Sequence, residues 1–167
     1  YYRLASEKPK LSKISLNEFF YPLDKFSNWN ELYGKDGFLQ YQFILPKDKS
    51  FEGIQKIFKI INDYKIYPYL SVLKLYGEEN KNYLSFPMKG YSLALDFKVN
   101  DKILNMLDKL DKIVCDYDGR VYLTKDARLS KKHFQNTYPK VKNFIKIRNE
   151  LDPNKRFRSQ QSERLGI

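Results

Sequence analysis

The sequence is poor in the residues that build disulfides and metal centres. Its 167 residues include one cysteine, Cys115, and one histidine, His133. A single cysteine cannot form an intramolecular disulfide, and this pair is too small a set for a multi-cysteine or His-rich zinc site. We therefore expect no metal site and a fold that depends on its apolar core.

Long hydrophobic runs are also missing. No stretch approaches the roughly 18 apolar residues that a membrane-spanning helix needs, and no signal peptide is visible. We expect a cytoplasmic or peripheral membrane location. The chain opens Tyr1-Tyr2-Arg3 without a methionine, so we expect it to be part of a longer polypeptide.

Hydrophobic residues and basic residues are both plentiful. Hydrophobic residues make up 42% of the chain and aromatic residues 16%, a composition that excludes intrinsic disorder. Lys and Arg number 31 against 20 Asp and Glu, for a net charge of +11. Such a balance is typical of proteins with an anionic partner: nucleic acid, anionic lipid or a phosphorylated substrate. Because the lysines are scattered along the chain, an ordinary solvated surface is the favoured explanation of the charge by itself.

Apolar periodicity predicts the order β-α-β-β-α-β. Predicted strands cover 39–45, 69–76, 91–97 and 120–124, and predicted helices cover 50–64, capped by Ser50, and 100–117, capped by Asn100. This is an α+β fold of the ferredoxin-like type, an antiparallel sheet with both helices on one face. Outside it we expect short helices over 24–33 and after Ser130, a longer C-terminal helix over 138–150, and an extended or irregular segment over 157–167.

The predicted sheet has one apolar and one polar face. The apolar face, which the helices must cover, carries Leu39, Tyr41, Phe43, Tyr91, Leu93, Leu95 and Phe97. The open face carries Gln40, Gln42, Ser92, Ala94 and Asp96, and alternation along the second strand adds Lys74. Two glutamine amides side by side suit a hydroxyl-rich ligand. The alternative is an ordinary solvated face of an antiparallel sheet.

A nucleic-acid-binding module is an alternative interpretation of this basic βαββαβ pattern. Lys89-Gly90-Tyr91 opens the third strand as an RNA-recognition motif would. That module stacks bases on aromatic residues exposed on its first and third strands. Here Tyr41, Tyr91 and Phe97 share faces with leucines and are predicted to face the helices, so the open side offers Gln and Ser instead of stacking rings. Nucleic acid is therefore the disfavoured partner.

Many short phrases of the sequence, in order, resemble one family. They are Phe20-Tyr21-Pro22-Leu23-Asp24, Trp29-Asn30, Tyr33-Gly34, Gly37-Phe38-Leu39-Gln40-Tyr41-Gln42-Phe43, Leu73-Lys74, Leu84-Ser85-Phe86-Pro87-Met88, Gly90-Tyr91, Leu95-Asp96-Phe97, Gly119-Arg120-Val121-Tyr122, Lys125-Asp126-Ala127-Arg128, Tyr138-Pro139, Asp152-Pro153, Phe157-Arg158-Ser159 and Arg164-Leu165-Gly166. They resemble the C-terminal part of FAD-linked oxidoreductases of the vanillyl-alcohol-oxidase type. Within that type they are most similar to the decaprenylphosphoryl-ribose 2′-oxidase branch, relatives of the aldonolactone oxidases. The resemblance covers nearly all of 20–167.

The resemblance implies a division of the chain. Residues 1–18 would be a connector or tail, 19–118 a portion of the substrate-binding cap domain, and 119–167 a segment that packs on a flavin domain missing from this chain. FAD would be bound mainly by that absent N-terminal domain, which carries the glycine-rich pyrophosphate loop. By the resemblance, this part alone is expected to be inactive.

The resemblance also implies the reaction and its residues. A secondary hydroxyl of a sugar, in a polyprenyl-phosphoryl pentose or an aldonolactone, would be oxidised to a ketone with hydride transfer to FAD. Gln40 and Gln42 would bind sugar hydroxyls, and Lys74 the sugar or its phosphate. Tyr122 and Lys125 would contact the flavin and the reacting hydroxyl.

Two positions depart from the family pattern, and two residue roles have ordinary alternatives. Ser92, which we also predict to bind the substrate, stands where relatives carry asparagine. Ala94 stands where they carry cysteine, and both changes alter the substrate-binding wall. Lys125 would otherwise be a surface lysine paired with Asp126 or Asp118, and Tyr122 a half-buried strand tyrosine. Expected partners are the sugar or lipid-linked sugar substrate, a partner reductase and an anionic membrane surface.

Overall fold

A computed structural model describes residues 13–25, 27, 28, 31 and 33–167 and divides the chain into two units, Tyr1–Gly34 and Lys35–Ile167. In the first unit, helix α1 (Leu16–Phe20) begins with a capping box in which Ser15 and Glu18 exchange hydrogen bonds. A 3-10 turn follows at Pro22–Lys25. The helix predicted over 24–33 lies partly outside the described residues, because positions 26, 29, 30 and 32 are among those not described.

The second unit contains the predicted βαββαβ order. Its elements are β1 (Phe38–Pro46), α2 (Ser50–Tyr64), β2 (Leu70–Tyr76), β3 (Gly90–Lys98), α3 (Asp101–Asp116), β4 (Arg120–Val121), a 3-10 turn (Leu123–Lys125), α4 (Lys131–Thr137), α5 (Val141–Leu151) and α6 (Gln160–Leu165). The α+β fold class is confirmed. In the described part of the chain, none of the helices is both long enough and apolar enough to cross a membrane.

The sheet has the strand order β2-β3-β1-β4 and is antiparallel throughout. β1 and β3 pair over nine residue pairs, from Phe38 opposite Lys98 to Pro46 opposite Gly90. β4 pairs with β1 only at Phe43 and Ile44. The two central strands are therefore β1 and β3, and they carry most of the side chains on both faces.

Both long helices cover one face, as predicted. The core combines β1 and β3 side chains with helix side chains; its members include Tyr41, Phe43, Leu45, Leu93, Leu95, Phe97, Ile57, Ile61, Ile103, Met106, Leu107, Leu110 and Val114. The Tyr41 hydroxyl donates to Asp111 of α3 over 2.9 Å, which shows that this ring faces the helices. Burial, with the Asp111 charge second, raises the pKa of Tyr41 well above its usual value.

Three local predictions differ from the structure. The predicted strand over 120–124 ends at Val121, because the chain turns into the 3-10 turn directly afterwards. The segment 157–167 is not wholly irregular, since α6 forms there with a Ser159–Ser162 capping box. Ser50 does not cap α2: it is the first helical residue, and its hydroxyl donates to the carbonyls of Leu45 and Pro46. Asn100 caps α3 as predicted.

The segment after β4 belongs to the same compact unit as the sheet. Leu129, Phe134, Tyr138, Val141 and Leu165 are all buried members of the sheet's core. The Tyr138 hydroxyl donates to the Val121 carbonyl over 2.7 Å, and burial raises the pKa of this tyrosine. The C-terminal helices therefore fix β4 against β1 from the side opposite the open face.

β2 is an edge strand that contributes little to the core. Its residues are exposed along most of its length, including Leu73 at 59% and Leu75 at 55% exposure on the helix side of the sheet. On the open face, Val72 is 48% exposed. β2 therefore serves mainly as a border of the open face.

The start of β3 allows no side chain at Gly90. A Cβ atom there would lie 1.9 Å from the Leu45 carbonyl oxygen, whereas one at Gly77 would meet nothing within 4 Å. Because the obstacle at Gly90 is backbone, the β1–β3 pairing would have to shift.

We expect Gly90→Ala to lower the free energy of unfolding by about 3 kcal/mol, the upper end for overpacking. Urea unfolding of the two variants checks this, with Gly77→Ala staying close to the unsubstituted chain; equal midpoints would refute it.

Candidate functional site

A pocket lies on the open face of the sheet, on the side away from α2 and α3. It has a volume of about 320 Å³. Its lining residues are Gln40, Gln42, Leu70, Val72, Lys74, Tyr76, Ala94, Asp96, Tyr122 and Lys125. We call it the open-face pocket.

The strand registers explain why these side chains meet. Gln40 lies opposite Asp96 and Gln42 opposite Ala94, while Ala94 also lies opposite Val72. Residues directly opposite in an antiparallel pair project to the same side of the sheet. The polar positions of three strands therefore form one continuous surface, as the alternation predicts.

The structure brings five of the six predicted site residues into this pocket. Gln40 and Gln42 come from β1, Lys74 from β2, and Tyr122 and Lys125 from the end of β4 and the 3-10 turn. They belong to segments that are far apart in the sequence. Their convergence on one cavity follows from the β2-β3-β1-β4 strand order.

Ser92, the sixth predicted residue, lies behind the pocket wall. It is 1% exposed, and its hydroxyl accepts a hydrogen bond from Nε2 of Gln42 over 2.9 Å. Gln42 is itself 7% exposed, so this bond fixes a buried amide. Ser92 therefore orients Gln42 and is not among the residues that line the cavity.

The 3-10 turn places Tyr122 and Lys125 beside β1. The Tyr122 amide donates to the Gln42 carbonyl over 2.8 Å, and the Lys125 amide donates to the Tyr122 carbonyl over 3.1 Å. The two carboxylates considered as ordinary partners of Lys125 are engaged elsewhere. Asp126 pairs with Arg164, and Asp118 pairs with Lys49.

An aromatic cluster at one end of the pocket was not predicted. Phe86 packs 4.5 Å from the Tyr122 ring and 6.0 Å from the Tyr76 ring, measured between centroids. Phe86 and Met88 also bury Ile44, an open-face residue of β1. The open side therefore carries rings at this end, and Phe86 among them was not predicted. The sequence did contain a signal for this cluster, because residues 84–88 form a mainly apolar stretch inside an otherwise polar loop.

Arg120 holds this loop onto the sheet. Its guanidinium donates to the Ser85 carbonyl over 2.7 Å and lies 3.6 Å from a Glu79 carboxylate oxygen. It also lies over the Tyr138 ring, 5.6 Å from the centroid. A buried arginine with three contacts therefore connects β4 to the loop that carries Phe86.

Asp96 is a charged pocket residue that the site prediction left out. It lines the cavity and is 4% exposed. The lining thus contains one carboxylate and the ammonium groups of Lys74 and Lys125, together with two amides and two phenols. Such a set provides both hydrogen-bond donors and hydrogen-bond acceptors, and it carries a net positive charge. These properties suit a polar ligand that carries hydroxyl groups and an anionic group.

The fold and the pocket define a class of protein: an α+β domain with a polar pocket on the open face of an antiparallel sheet. The comparisons specify the family. A family model described as D-arabinono-1,4-lactone oxidase matches residues 38–165. The chain belongs to this family.

Two relatives are similar to the chain over part of their lengths. Decaprenylphosphoryl-beta-D-ribose oxidase of Mycolicibacterium smegmatis is 37% identical over 153 residues, covering 92% of this chain and 33% of the relative. A Streptomyces coelicolor protein named only as an uncharacterized protein in the mprA 5′ region is 34% identical over 97 residues, 58% of this chain and 26% of the relative. The chain thus spans a third or less of these relatives. The predicted resemblance to this group of oxidases is confirmed.

The contribution of the Gln42–Ser92 hydrogen bond to the stability of the fold can be measured. Ser92→Ala leaves a buried amide N–H without its acceptor, which we expect to lower the free energy of unfolding by about 1–3 kcal/mol. Ser71→Ala is the matched control, because Ser71 is an exposed serine of β2. Urea unfolding of both variants measures the difference. If both unfold at the same urea concentration, the bond does not contribute.

Proposed function

We propose that this chain is the substrate side of an FAD-dependent oxidase that converts a secondary hydroxyl of a sugar to a ketone. The observation that carries the proposal is the convergence of Gln40, Gln42, Lys74, Tyr122 and Lys125 on one pocket. Family membership supports the reaction class. The flavin would be held mainly by polypeptide beyond these residues, as the partial coverage of the relatives suggests.

The residues of the pocket fit one end of FAD. The Tyr122 phenol and the Lys125 ammonium group are donors that suit the carbonyl oxygens and nitrogens of a flavin ring, and they lie together beside Gln42. A cavity of about 320 Å³ has the size of a small-molecule site and accommodates a ring or a sugar, but not a whole dinucleotide. When bound, FAD supplies the two-electron acceptor for the hydride of the substrate carbon.

Gln40 and Gln42 would orient the sugar. Each amide offers a carbonyl acceptor and two N–H donors in a fixed plane, which matches neighbouring hydroxyl groups. Ser92 already accepts from Gln42, so the orientation of this amide is set before a ligand arrives. Asp96, opposite Gln40 on β3, adds a carboxylate that accepts from hydroxyl donors.

Lys74 would bind the anionic part of the substrate. Its ammonium nitrogen lies 5.1 Å from the centroid of the Tyr76 ring, on the strand that borders the pocket. A lysine is a compact point charge that suits a phosphate group. One relative is named for a phosphoryl-linked sugar, so a polyprenyl-phosphoryl pentose is the favoured substrate. An aldonolactone, the substrate in the family's name, is the second candidate.

Lys125 would act at the reacting hydroxyl. Oxidation removes a hydride from the carbon, which FAD would accept, and a proton from its oxygen, which would pass to solvent. The oxygen gains negative charge as the proton leaves. The Lys125 ammonium group, which lines the pocket, would stabilise that charge. Tyr122, which precedes the turn, would donate a hydrogen bond to the cofactor or the substrate.

The nucleic-acid alternative gains no support from the rings of the open face. Tyr76, Phe86 and Tyr122 pack against one another, and Phe86 is 4% exposed. They lie outside β1 and β3, the strands on which an RNA-recognition module carries its stacking platforms.

The role of Lys125 is testable in the intact flavoenzyme that contains these residues. Lys125→Met removes the ammonium group but keeps an unbranched side chain of similar length. We expect kcat to fall by about 10²–10³-fold, since the charge acts only as the reaction proceeds. Turnover is measured as reduction of the bound flavin by decaprenylphosphoryl ribose.

The matched control for this prediction is Lys112→Met, at an exposed lysine of α3. This variant should turn over like the unsubstituted enzyme. Circular dichroism of both variants checks that the fold is retained. Near-normal kcat in folded Lys125→Met would refute the assignment of Lys125.

A further inference from the structure

The turn that carries Lys125 has few bonds of its own. It is a 3-10 turn of three residues, Leu123–Lys125. Two amides close it: that of Lys125 donates to Tyr122 over 3.1 Å, and that of Asp126 donates to Leu123 over 3.2 Å. Such short 3-10 segments have poor hydrogen-bond geometry. Contacts from elsewhere must therefore fix its position.

Gln161 of α6 binds both ends of the turn. Its amide nitrogen donates to the Leu123 carbonyl over 2.6 Å. The same nitrogen lies 3.4 Å from the Asp126 carbonyl oxygen. These two carbonyls belong to the residues on either side of the Thr124–Lys125 pair, so a single amide bridges the turn.

Asp126 fixes the end of the turn. Its side chain is 2% exposed, and Oδ1 accepts from the amides of Arg128 and Leu129 over 2.8 and 2.6 Å. Oδ2 accepts from Arg164 of α6 over 2.8 Å. Hydrogen bonds of this kind, between charged groups and partly buried, are about twice as strong as neutral ones.

Helix α6 is itself held in place by the core. Leu165 is 1% exposed and belongs to the core cluster that contains β1 and β3. Arg164 donates a second bond to the Leu129 carbonyl. Gln161 and Arg164 therefore act from a support that is packed against the sheet.

From these contacts we infer that Asp126, Gln161 and Arg164 are positioning residues that hold the 3-10 turn so that Lys125 faces the open-face pocket. None of the three lines the pocket, so they act through Lys125 and not on the ligand. The inference rests on the proposed function for the role of Lys125. The bonds to Leu123 and Asp126 flank Lys125 on both sides, and a displacement of about 1 Å at a catalytic group is enough to reduce a rate by about 10²-fold.

Gln161→Glu tests the inference in the intact flavoenzyme, because it keeps the shape of the side chain and replaces the donor with an acceptor. A carboxylate would then face the Leu123 carbonyl and the Asp126 carboxylate, whose Oδ2 lies 3.4 Å from the Gln161 amide nitrogen. The bridge would then break. We expect kcat to fall by about 10–100-fold with KM little changed. Gln160→Glu, at the exposed neighbouring residue of the same helix, introduces the same charge and should leave kcat unchanged.

Two further measurements separate positioning from a general loss of structure. Hydrogen–deuterium exchange should become faster in peptides covering 122–128 in Gln161→Glu but not in Gln160→Glu, with β1 and α3 unchanged in both. The kcat of Gln161→Glu, divided by the kcat of Gln160→Glu, should also rise towards one as the pH falls. Once protonated, the introduced carboxyl can donate to the Leu123 carbonyl again.

A second pair of variants covers the case in which Gln161→Glu fails to fold. Arg164→Lys keeps the charge but loses the guanidinium that reaches both Asp126 and Leu129, so kcat should fall. Arg158→Lys, at an arginine whose side chain is 65% exposed, should retain kcat.

The outcomes distinguish this inference from the proposed function. The inference is overturned if each substituted variant has the same kcat as its control. It is also overturned if kcat falls in Gln161→Glu while hydrogen exchange at 122–128 stays unchanged and the kcat ratio of Gln161→Glu to Gln160→Glu does not vary with pH. A lack of flavin reduction by the unsubstituted enzyme counts against the proposed function. In that case the exchange comparison still decides whether these side chains hold the turn.

Discussion

The antiparallel pairing of β1 with β3 determines where every other part of the pocket lies. Nine residue pairs set this register, and successive side chains of each strand point to opposite faces. Tyr41, Phe43 and Leu45 therefore enter the core, while Gln40 and Gln42 face the pocket. A slip of one residue would exchange the two sets and bury the glutamines against α2 and α3. The close approach at Gly90 and the buried Gln42–Ser92 bond both reinforce the observed register.

The chain after β4 completes a surface that the sheet alone does not make. β4 adds only two residues to the sheet, but it delivers Tyr122 to the Gln42 carbonyl and Lys125 to the pocket. Tyr138 holds β4 from the core side. Asp111 of α3 forms an ion pair with Arg128. Burial raises the pKa of Asp111, although Arg128 and Tyr41 act to lower it. Burial acts to lower the pKa of Arg128, but Asp111 and Asp108 raise it overall. This ion pair connects α3 to the segment that follows the turn. The pocket is thus built by residues that are distant in sequence and joined by one core.

The sequence predicted those parts of the site that follow from a simple period. Alternation alone placed Gln40, Gln42 and Lys74 on one face, since each lies in a regular strand. Tyr122 and Lys125 came from family resemblance, because a 3-10 turn of three residues has no period to read. The contribution of Phe86 was missed because a loop residue has no face until its tertiary contacts are known. Ser92 was assigned to the ligand because alternation gives the side of the sheet but not which neighbour satisfies the hydroxyl. Helix α6 was missed because its six residues include one buried position, Leu165, too few for an amphipathic pattern.

The central claim is that this pocket presents a sugar hydroxyl to FAD. The most direct test is the visible absorption spectrum of the intact protein that contains these residues, recorded without oxygen before and after adding decaprenylphosphoryl ribose or D-arabinono-1,4-lactone. The account predicts a flavin spectrum that is bleached by one of these compounds, with the phosphoryl-linked sugar acting at the lower concentration because of Lys74. A colourless protein that also fails to take up added FAD, or a flavin that neither compound bleaches, would contradict it.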